Sequence, residues 1–131
     1  MSIYHILKKP INPSNLTIQC ACIEIDKEFI QQVLKYINDN ISDTDLSVEL
    51  LASQVSLSRS RLYRKIKGLT GQTVTEFIRK VRLQRAHQIL EKGNANISEV
   101  CYKVGFSSPS YFTKCFKSYF GVLPSEVESK L

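Results

Sequence analysis

Residues 46–67 read Leu-Ser-Val-Glu-Leu-Leu-Ala-Ser-Gln-Val-Ser-Leu-Ser-Arg-Ser-Arg-Leu-Tyr-Arg-Lys-Ile-Lys, and the expected fold follows mainly from this stretch. It predicts a short apolar helix, a tight turn at residues 56–58 and a second helix crowded with cations. Residues 97–117 read Ile-Ser-Glu-Val-Cys-Tyr-Lys-Val-Gly-Phe-Ser-Ser-Pro-Ser-Tyr-Phe-Thr-Lys-Cys-Phe-Lys and repeat this order. The chain is therefore expected to hold two helix-turn-helix units in tandem, the arrangement of a protein that reads DNA at two neighbouring places.

The length and composition are those of a globular protein. At 131 residues the chain can form one compact domain or two small helical subdomains. No apolar run approaches the roughly 20 residues of a membrane span, and the first ten residues do not resemble a secretory signal. A cytoplasmic location is therefore expected.

Positive charge is concentrated in the middle of the chain. Residues 59–92 hold ten Lys or Arg against two Glu, a local charge of +8 within a total of +6. Such an excess attracts polyanions and allows phosphates to be neutralised with counterion release. A membrane surface or an acidic protein would satisfy the charge equally well, so charge supports nucleic-acid binding without establishing it.

The four cysteines do not form a metal-binding pattern. Cys101 and Cys115 fall on apolar helix faces, where a free thiol behaves as a small hydrophobe. Cys20 and Cys22 have one residue between them, whereas zinc sites usually place about two to four there and use about four ligands. We predict no metal, no cofactor and no catalytic residue, in a reducing compartment.

Apolar periodicity predicts an all-α chain of about seven helices. Residues 1–25 carry Pro10, Pro13 and one apolar alternation, which indicates a linker or connector with a short extended piece. Apolar residues repeat every four positions from Asp26, which predicts a helix to about Asn40. The predicted divisions are a first helix-turn-helix subdomain over 26–72, a linking helix over 73–93 and a second subdomain over 94–131.

Capping residues predict where the other helices begin and end. Residues suited to accept the free amides of a first helical turn are Ser47, Ser58, Thr73, Asn96 and Ser108. Thr73 and Glu76 fit a capping box, and Pro109 suits the first position of a helix. Gly93, Gly105 and Gly121 are placed to end helices, and Pro124 is expected to open a last turn.

The recognition helices are expected at about 59–68 and 109–120, with their reading faces opposite their apolar stripes. Base-reading candidates are Ser60, Tyr63, Arg64, Pro109, Ser110, Thr113 and Lys114. Phosphate-binding candidates are Ser58, Arg59, Arg61, Lys65, Lys67, Ser108 and Lys117. A cationic helical face is usually only a solvated surface. DNA binding is favoured because the cations lie on the second helix of a repeated unit.

Aromatic residues are dense in the last predicted long helix. They are Tyr111, Phe112, Phe116, Tyr119 and Phe120. Their helical spacing is more typical of a core than of a ligand pocket, and Phe112, Cys115, Phe116 and Tyr119 are expected to be buried.

Three segments carry a wider similarity. They are residues 57–67 with Leu-Thr-Gly at 69–71, Phe-Ile-Arg at 77–79 with Arg-Leu-Gln-Arg-Ala at 82–86, and 97–117 with Phe-Gly at 120–121 and Pro-Ser at 124–125. In these motifs the chain resembles the DNA-binding domain of the AraC/XylS family of bacterial transcription regulators, over about residues 28–127. The third segment matches the signature region of that family.

The resemblance implies seven helices, with a long helix over about 73–92 that joins the two reading units. It also implies base contacts from the seven candidates named above, in major-groove segments about one helical turn apart. Two positions depart from the family pattern. Leu123 stands where a capping Ser or Thr is usual, and Val127 and Glu128 replace an aromatic residue and Arg, so the last helix is expected to be weakly held.

The motif of residues 58–71 is also similar to that of hybrid two-component regulators, in which a sensor kinase, a receiver and this output domain share one chain. This resemblance implies that the 131 residues are the output end of a longer protein. Its expected partners are a double-stranded DNA operator and, as a candidate, RNA polymerase. Dimerisation is expected to use parts that are not present.

Three other functions stay open at this point. The first is a small stand-alone regulator without an effector domain. The second is a fragment of a cysteine-dependent DNA-repair methyltransferase, with Cys20 or Cys22 as nucleophile, although no His and acid cluster accompanies them. The third is a protein-interaction module that uses the cationic face, which would show no salt-dependent DNA binding.

Overall fold

The computed structural model describes residues 16–127, with side chains described from Glu24 onward. Within this range the chain is all-α, as predicted, and contains no strand. The six α-helices are α1 (Leu16–Asp39), α2 (Val48–Gln54), α3 (Arg59–Thr70), α4 (Val74–Glu91), α5 (Ile97–Lys103) and α6 (Pro109–Phe120). A single 3₁₀ turn, Pro124–Glu126, stands in place of a seventh helix. Among the described residues, none of the helices combines the length and the hydrophobicity that a membrane span requires.

The first helix begins ten residues earlier than the sequence pattern indicated. α1 starts at Leu16, so the expectation of an extended piece in residues 16–25 is wrong, while their role as a connector stays a prediction. No Gly or Pro occurs between Ser14 and Lys67, and lengthening a helix costs far less than nucleating one. A helix over residues 26–39 can therefore extend toward the N-terminus without meeting a helix-breaking residue. The linker predicted over residues 1–15 lies outside the described residues.

The described residues divide into two compact units. The first comprises residues 16–39 and 47–77, and the second comprises residues 40–46 and 78–127. The segment 40–46 therefore contacts the second unit, although it precedes α2 in the chain. The division also falls within α4, at Phe77, whereas the sequence had suggested a separate linking helix over 73–93.

The core of the first unit is built from one stripe of each of its helices. Phe29, Ile30, Val33 and Ile37 of α1 recur at helical spacing. They are joined by Leu51, Ala52, Leu62, Ile66, Leu69, Val74 and Phe77. The turn between α2 and α3 brings these two helices of the helix-turn-helix unit together. Ser56 has a left-handed φ of 57°, and the Leu57 amide donates to the Ala52 carbonyl at 2.9 Å.

The second unit has its own aromatic core. It consists of Leu83, Ala86, Leu90, Val100, Cys101, Val104, Phe106, Phe112 and Phe116, with Phe120 partly buried against them. Leu83 is a core residue that the sequence pattern did not indicate, and the prediction that Tyr119 is buried was wrong. Tyr119 is 42% exposed because its hydroxyl lies at the surface, where the Gln84 amide donates to it at 3.2 Å. Tyr111, also assigned to the core cluster, is exposed.

The segment 40–46 is held against the second unit at two points. The Arg82 guanidinium donates to the Asp43 carbonyl at 2.7 Å, and partial burial lowers the pKa of Arg82 despite the nearby Asp43 carboxylate. The Ile41 carbonyl closely approaches Gly105, which has a φ of 92° in the α5–α6 turn. That turn repeats the first, since the Phe106 amide donates to the Cys101 carbonyl at 3.0 Å.

Local capping follows the sequence closely. Ser47, Ser58, Asn96 and Ser108 all act as N-caps through their side chains. Thr73 accepts the Glu76 amide at 3.1 Å, which is the forward half of the expected capping box. Leu123 provides no side-chain cap, as predicted. Instead the Glu126 carboxylate accepts the Leu123 amide at 3.2 Å, and the terminal element stays a single turn.

Candidate nucleic-acid interface

The start of α3 is fixed by a serine cap. Ser58 Oγ accepts the Arg61 amide at 3.3 Å and lies 3.5 Å from the Ser60 hydroxyl. Leu62, Ile66 and Leu69 are buried, so the opposite face of the helix points to solvent. On that face Ser60, Arg61, Arg64 and Lys67 are exposed, and Tyr63 is half-buried. The structure thus brings the predicted base-reading residues of the first unit together on one helical face.

Arg59 does not extend freely into solvent. Its Nη1 donates to Glu49 Oε1 of α2 at 2.8 Å, and its Nη2 donates to the Tyr63 hydroxyl oxygen at 3.3 Å. The guanidinium carbon lies 5.4 Å from the centre of the Tyr63 ring. The bond to Tyr63, followed by the charges of Tyr63 and Glu49, raises the pKa of Arg59 above its ordinary value. Arg59 therefore connects α2 and α3 while remaining charged.

Two lysines of α3 also have partners within the first unit. The Lys65 ammonium lies 4.4 Å from the centre of the Phe29 ring, a cation–π geometry that draws it toward α1. Lys67 Nζ donates to the Gly71 carbonyl at 3.0 Å, beyond the end of α3, and the side chain stays exposed. Of the five cations in α3, Arg61 and Arg64 therefore project with the least involvement in the fold.

α6 begins in the same way as α3. Ser108 Oγ accepts the Tyr111 amide at 3.3 Å and lies 3.0 Å from the Ser110 hydroxyl. Pro109 occupies the first turn, where the missing amide has no helical partner to lose. Phe112 and Phe116 form the buried stripe. The solvent-facing residues are Ser110, Lys114 and Lys117, with Pro109 and Thr113 half-buried beside them.

The exposed Tyr111 ring forms part of the surface of α6 itself. A hydrogen bond with Cys115, then the Cys115 charge, raises the pKa of Tyr111, while the charge of Arg79 acts in the opposite direction. The phenol is therefore neutral at physiological pH and can both donate and accept. Tyr111 was assigned to the core from its sequence spacing, and no motif in the sequence marked it as a surface group.

The two predicted recognition helices, α3 and α6, correspond position by position. Each has 12 residues, a serine N-cap and a left-handed glycine at its C-terminal end. Ser60 corresponds to Ser110, and Arg64 corresponds to Lys114. The Arg59–Tyr63 pair is replaced by a proline and a threonine in α6, and Arg61 is replaced by Tyr111. Glu49 accepts a hydrogen bond from Arg59 and so belongs with that pair. The sequence pattern did not indicate Glu49 as a candidate residue.

The two candidate nucleophilic cysteines, Cys20 and Cys22, fall within α1, and their side chains lie outside the described part of the chain. Cys101 is buried, and burial raises the pKa of its thiol. Among described residues, no three His, Cys, Asp or Glu side chains form a candidate metal site.

Comparison with known proteins identifies similar domains in larger regulators. A family model described as a helix-turn-helix domain matches residues 51–130. The chain is 38% identical over 122 residues to histidine kinase P4 of Formosa agariphila, which covers 93% of this chain and 9% of that protein. It is 35% identical over 105 residues to the Msm operon regulatory protein of Streptococcus mutans, covering 80% and 37% respectively. The chain thus spans well under half of either relative.

Solved structures have the same fold. A regulator with an AraC-type DNA-binding domain from Chromobacterium violaceum gives a TM-score of 0.71 at 27% identity, covering 76% of this chain and 88% of that one. The C-terminal domain of AraT, a response regulator from Geobacillus stearothermophilus, gives 0.66 at 28%, covering 76% and 82%. The DNA-binding domain of AdpA, solved with a target DNA, gives 0.64 at 25%, covering 72% and 85%. The chain belongs to the AraC/XylS family of transcription regulators and contains the helix-turn-helix DNA-binding domain of that family.

Proposed function

We propose that the chain binds double-stranded DNA sequence-specifically, with α3 and α6 as recognition helices in successive major-groove segments. The observation that carries the proposal is the shared design of these helices. Each is capped by serine, buries a single apolar stripe and exposes hydroxyl and cationic side chains on the opposite face. Hydroxyl groups, the forked guanidinium of Arg and the ammonium of Lys are the groups that contact base edges and phosphates.

In the first unit, base reading is assigned to Ser60, Tyr63 and Arg64. The Arg64 guanidinium is exposed and can pair in a fork with O6 and N7 of guanine. Ser58, Arg61 and Lys67 are assigned to phosphates, because they flank that face at the start and end of α3. Arg59 and Lys65, whose charges already have partners, are expected to neutralise phosphates less.

In the second unit, base reading is assigned to Pro109, Ser110, Thr113 and Lys114. Ser110 lies in the first turn of α6, the part of a recognition helix that usually reaches base edges. Ser108 and the exposed Lys117 are assigned to phosphates. Apart from Lys114, the residues assigned to bases here carry hydroxyl or apolar groups, so base reading in this unit depends on hydroxyls and on contact with thymine methyl groups.

We further propose that this domain is the output end of a longer, signal-responsive regulator. The similarity to a histidine kinase along 93% of this chain, together with the similarity to a response-regulator domain, supports this view over that of a stand-alone regulator. RNA polymerase is a candidate partner, and dimerisation is assigned to other parts of the protein.

Selection of binding sites from a random-duplex pool at near-physiological salt tests the proposal. Two enriched sequence blocks about ten base pairs apart are expected if both helices read DNA. A single enriched block would mean that one unit reads the base sequence and the other contacts only phosphates. Binding without enrichment that disappears as salt rises would contradict sequence-specific recognition.

A further inference from the structure

Arg59 differs from the other cations of α3 because its guanidinium is shared between two side chains. Glu49 Oε1 accepts from one terminal nitrogen at 2.8 Å, and the Tyr63 hydroxyl accepts from the other at 3.3 Å. A guanidinium has donors in a fixed planar fork and no acceptor. Occupying both terminal nitrogens therefore fixes its orientation, which in turn restricts the Tyr63 side chain one turn further along α3.

We propose that Arg59 is a positioning residue that makes Tyr63 a hydrogen-bond donor toward DNA, rather than a phosphate contact itself. This inference rests on the proposed function and names the chemistry of one of its contacts. The Glu49, Arg59 and Tyr63 side chains together form a positioning triad.

The donor character of Tyr63 follows from the direction of its bond with Arg59. A phenol has one hydrogen and an oxygen that can accept. Because Arg59 cannot accept, it must use the oxygen of Tyr63, which leaves the hydroxyl hydrogen free for another partner. In the major groove that partner must be an acceptor, such as N7 or O6 of guanine, N7 of adenine or O4 of thymine. Cytosine, whose edge offers a donor there, is disfavoured.

The electrostatics of the first turn agree with a positioning role. A cation at the N-terminus of a helix opposes the helix dipole, and Arg59 is the first residue of α3. The Glu49 carboxylate offsets this charge at 2.8 Å. A guanidinium paired in this way releases few counterions when DNA binds. Arg61, two residues further on and exposed, lacks this partner and provides a matched control.

The positioning triad belongs to the first unit alone. At the corresponding places α6 has Pro109 and Thr113, and α5 has Ser98. None of these can form a charged fork, so the base preference created by Tyr63 has no counterpart in the second unit. A change in the triad should therefore alter one base pair of the first sequence block and leave the second block unchanged.

The test compares Arg59→Leu, Arg61→Leu, Tyr63→Phe and the double variant Arg59→Leu/Tyr63→Phe on the selected duplex and its single-base-pair substitutions. For Arg59→Leu we expect a loss of about five-fold in preference at one base pair, the effect of one hydrogen bond, with the salt slope unchanged. Tyr63→Phe should lose the same preference, and the double variant should lose no more. Arg61→Leu should keep the preference and lower the salt slope by about one.

The opposite pattern would overturn the inference. If Arg59→Leu lowered the salt slope by about one and kept the preference, Arg59 would be a phosphate contact. If Tyr63→Phe left the base preference unchanged, the donor role of Tyr63 would also be rejected. The proposed function would still stand in that case, because the wild-type chain would still bind DNA sequence-specifically. If the wild-type chain selected no sequence at all, the proposed function would fail first. Should Arg59→Leu unfold, Glu49→Gln provides the second variant, and it must steepen the salt slope by freeing the Arg59 charge.

Discussion

Gly105 and Gly121 offer a matched pair of substitutions in the second unit. Both adopt a left-handed φ, 92° for Gly105 and 77° for Gly121, so alanine introduces backbone strain at either position. That strain costs about 1–2 kcal/mol. Alanine also restricts the unfolded chain more than glycine does, which stabilises the folded state by roughly 0.4–1 kcal/mol and offsets part of the cost. Gly121→Ala, whose new methyl group has no neighbour within 4 Å, should therefore cost about 1 kcal/mol.

Gly105→Ala should cost considerably more, because its methyl group has no room. The added carbon would clash with the Ile41 carbonyl oxygen and lie 2.8 Å from Cζ and Nε of Arg82. A carbonyl of the backbone cannot move aside like the end of a flexible side chain. Overpacking of this kind typically adds about 1–3 kcal/mol, which gives a total of about 2–4 kcal/mol. Relief of the clash would also disturb the bond from Arg82 to Asp43, which holds segment 40–46.

Urea unfolding followed by circular dichroism measures both variants against the wild-type chain. With a slope of about 2 kcal/mol per molar, the midpoint should fall by about 0.5 M for Gly121→Ala and by about 1–2 M for Gly105→Ala. Equal shifts for the two variants would refute the reasoning. They would mean that backbone strain accounts for the whole effect and that segment 40–46 does not press against the α5–α6 turn.

Three further predictions concern single side chains. Arg64→Ala should weaken binding by about 1–3 kcal/mol and relax preference at one base pair in competition assays, and unchanged affinity and preference would contradict the placement of α3. Ser108→Ala should remove the α6 cap and lower the free energy of unfolding by about 1 kcal/mol in thermal melts, whereas an unchanged melt would show that the cap is dispensable. Burial raises the pKa of the Cys101 thiol, so at any pH below that pKa Cys101 should be alkylated more slowly than the partly exposed Cys115. Peptide mass spectrometry of the native protein measures both alkylation rates, and equal rates would contradict the burial of Cys101.

The features that the sequence predicted well are local ones. Ser58 and Ser108 cap helices because each precedes an apolar helical pattern, and the bond that forms is within three residues of the cap. The buried stripe of α3 follows equally from spacing alone, since Leu62, Ile66 and Leu69 recur at intervals of four and three. Such features depend on nearest neighbours in the chain and need no knowledge of tertiary packing.

The features that were missed depend on other elements or on helix length. The contact of Arg59 with Glu49 joins two helices across a turn, and sequence spacing does not show which acidic side chain a cation will meet. Lys65 is likewise predicted to contact phosphate, but spacing in the sequence does not show that its ammonium lies against the Phe29 ring. The start of α1 was misjudged because an apolar alternation can fit an extended segment or one face of a longer helix.

These tertiary contacts change how the two recognition helices compare. By sequence α3 has five cations and α6 has two, which suggests that the first unit provides most of the electrostatic affinity. Two of the five, Arg59 and Lys65, are engaged within the first unit, by Glu49 and by the Phe29 ring. Under the proposed function, three cations of α3 and two of α6 are then left to meet DNA, so the two helices are nearly balanced. The difference between the units consequently lies less in charge than in the groups that accompany it: a tyrosine fixed as a donor in α3, and a threonine without such an anchor in α6.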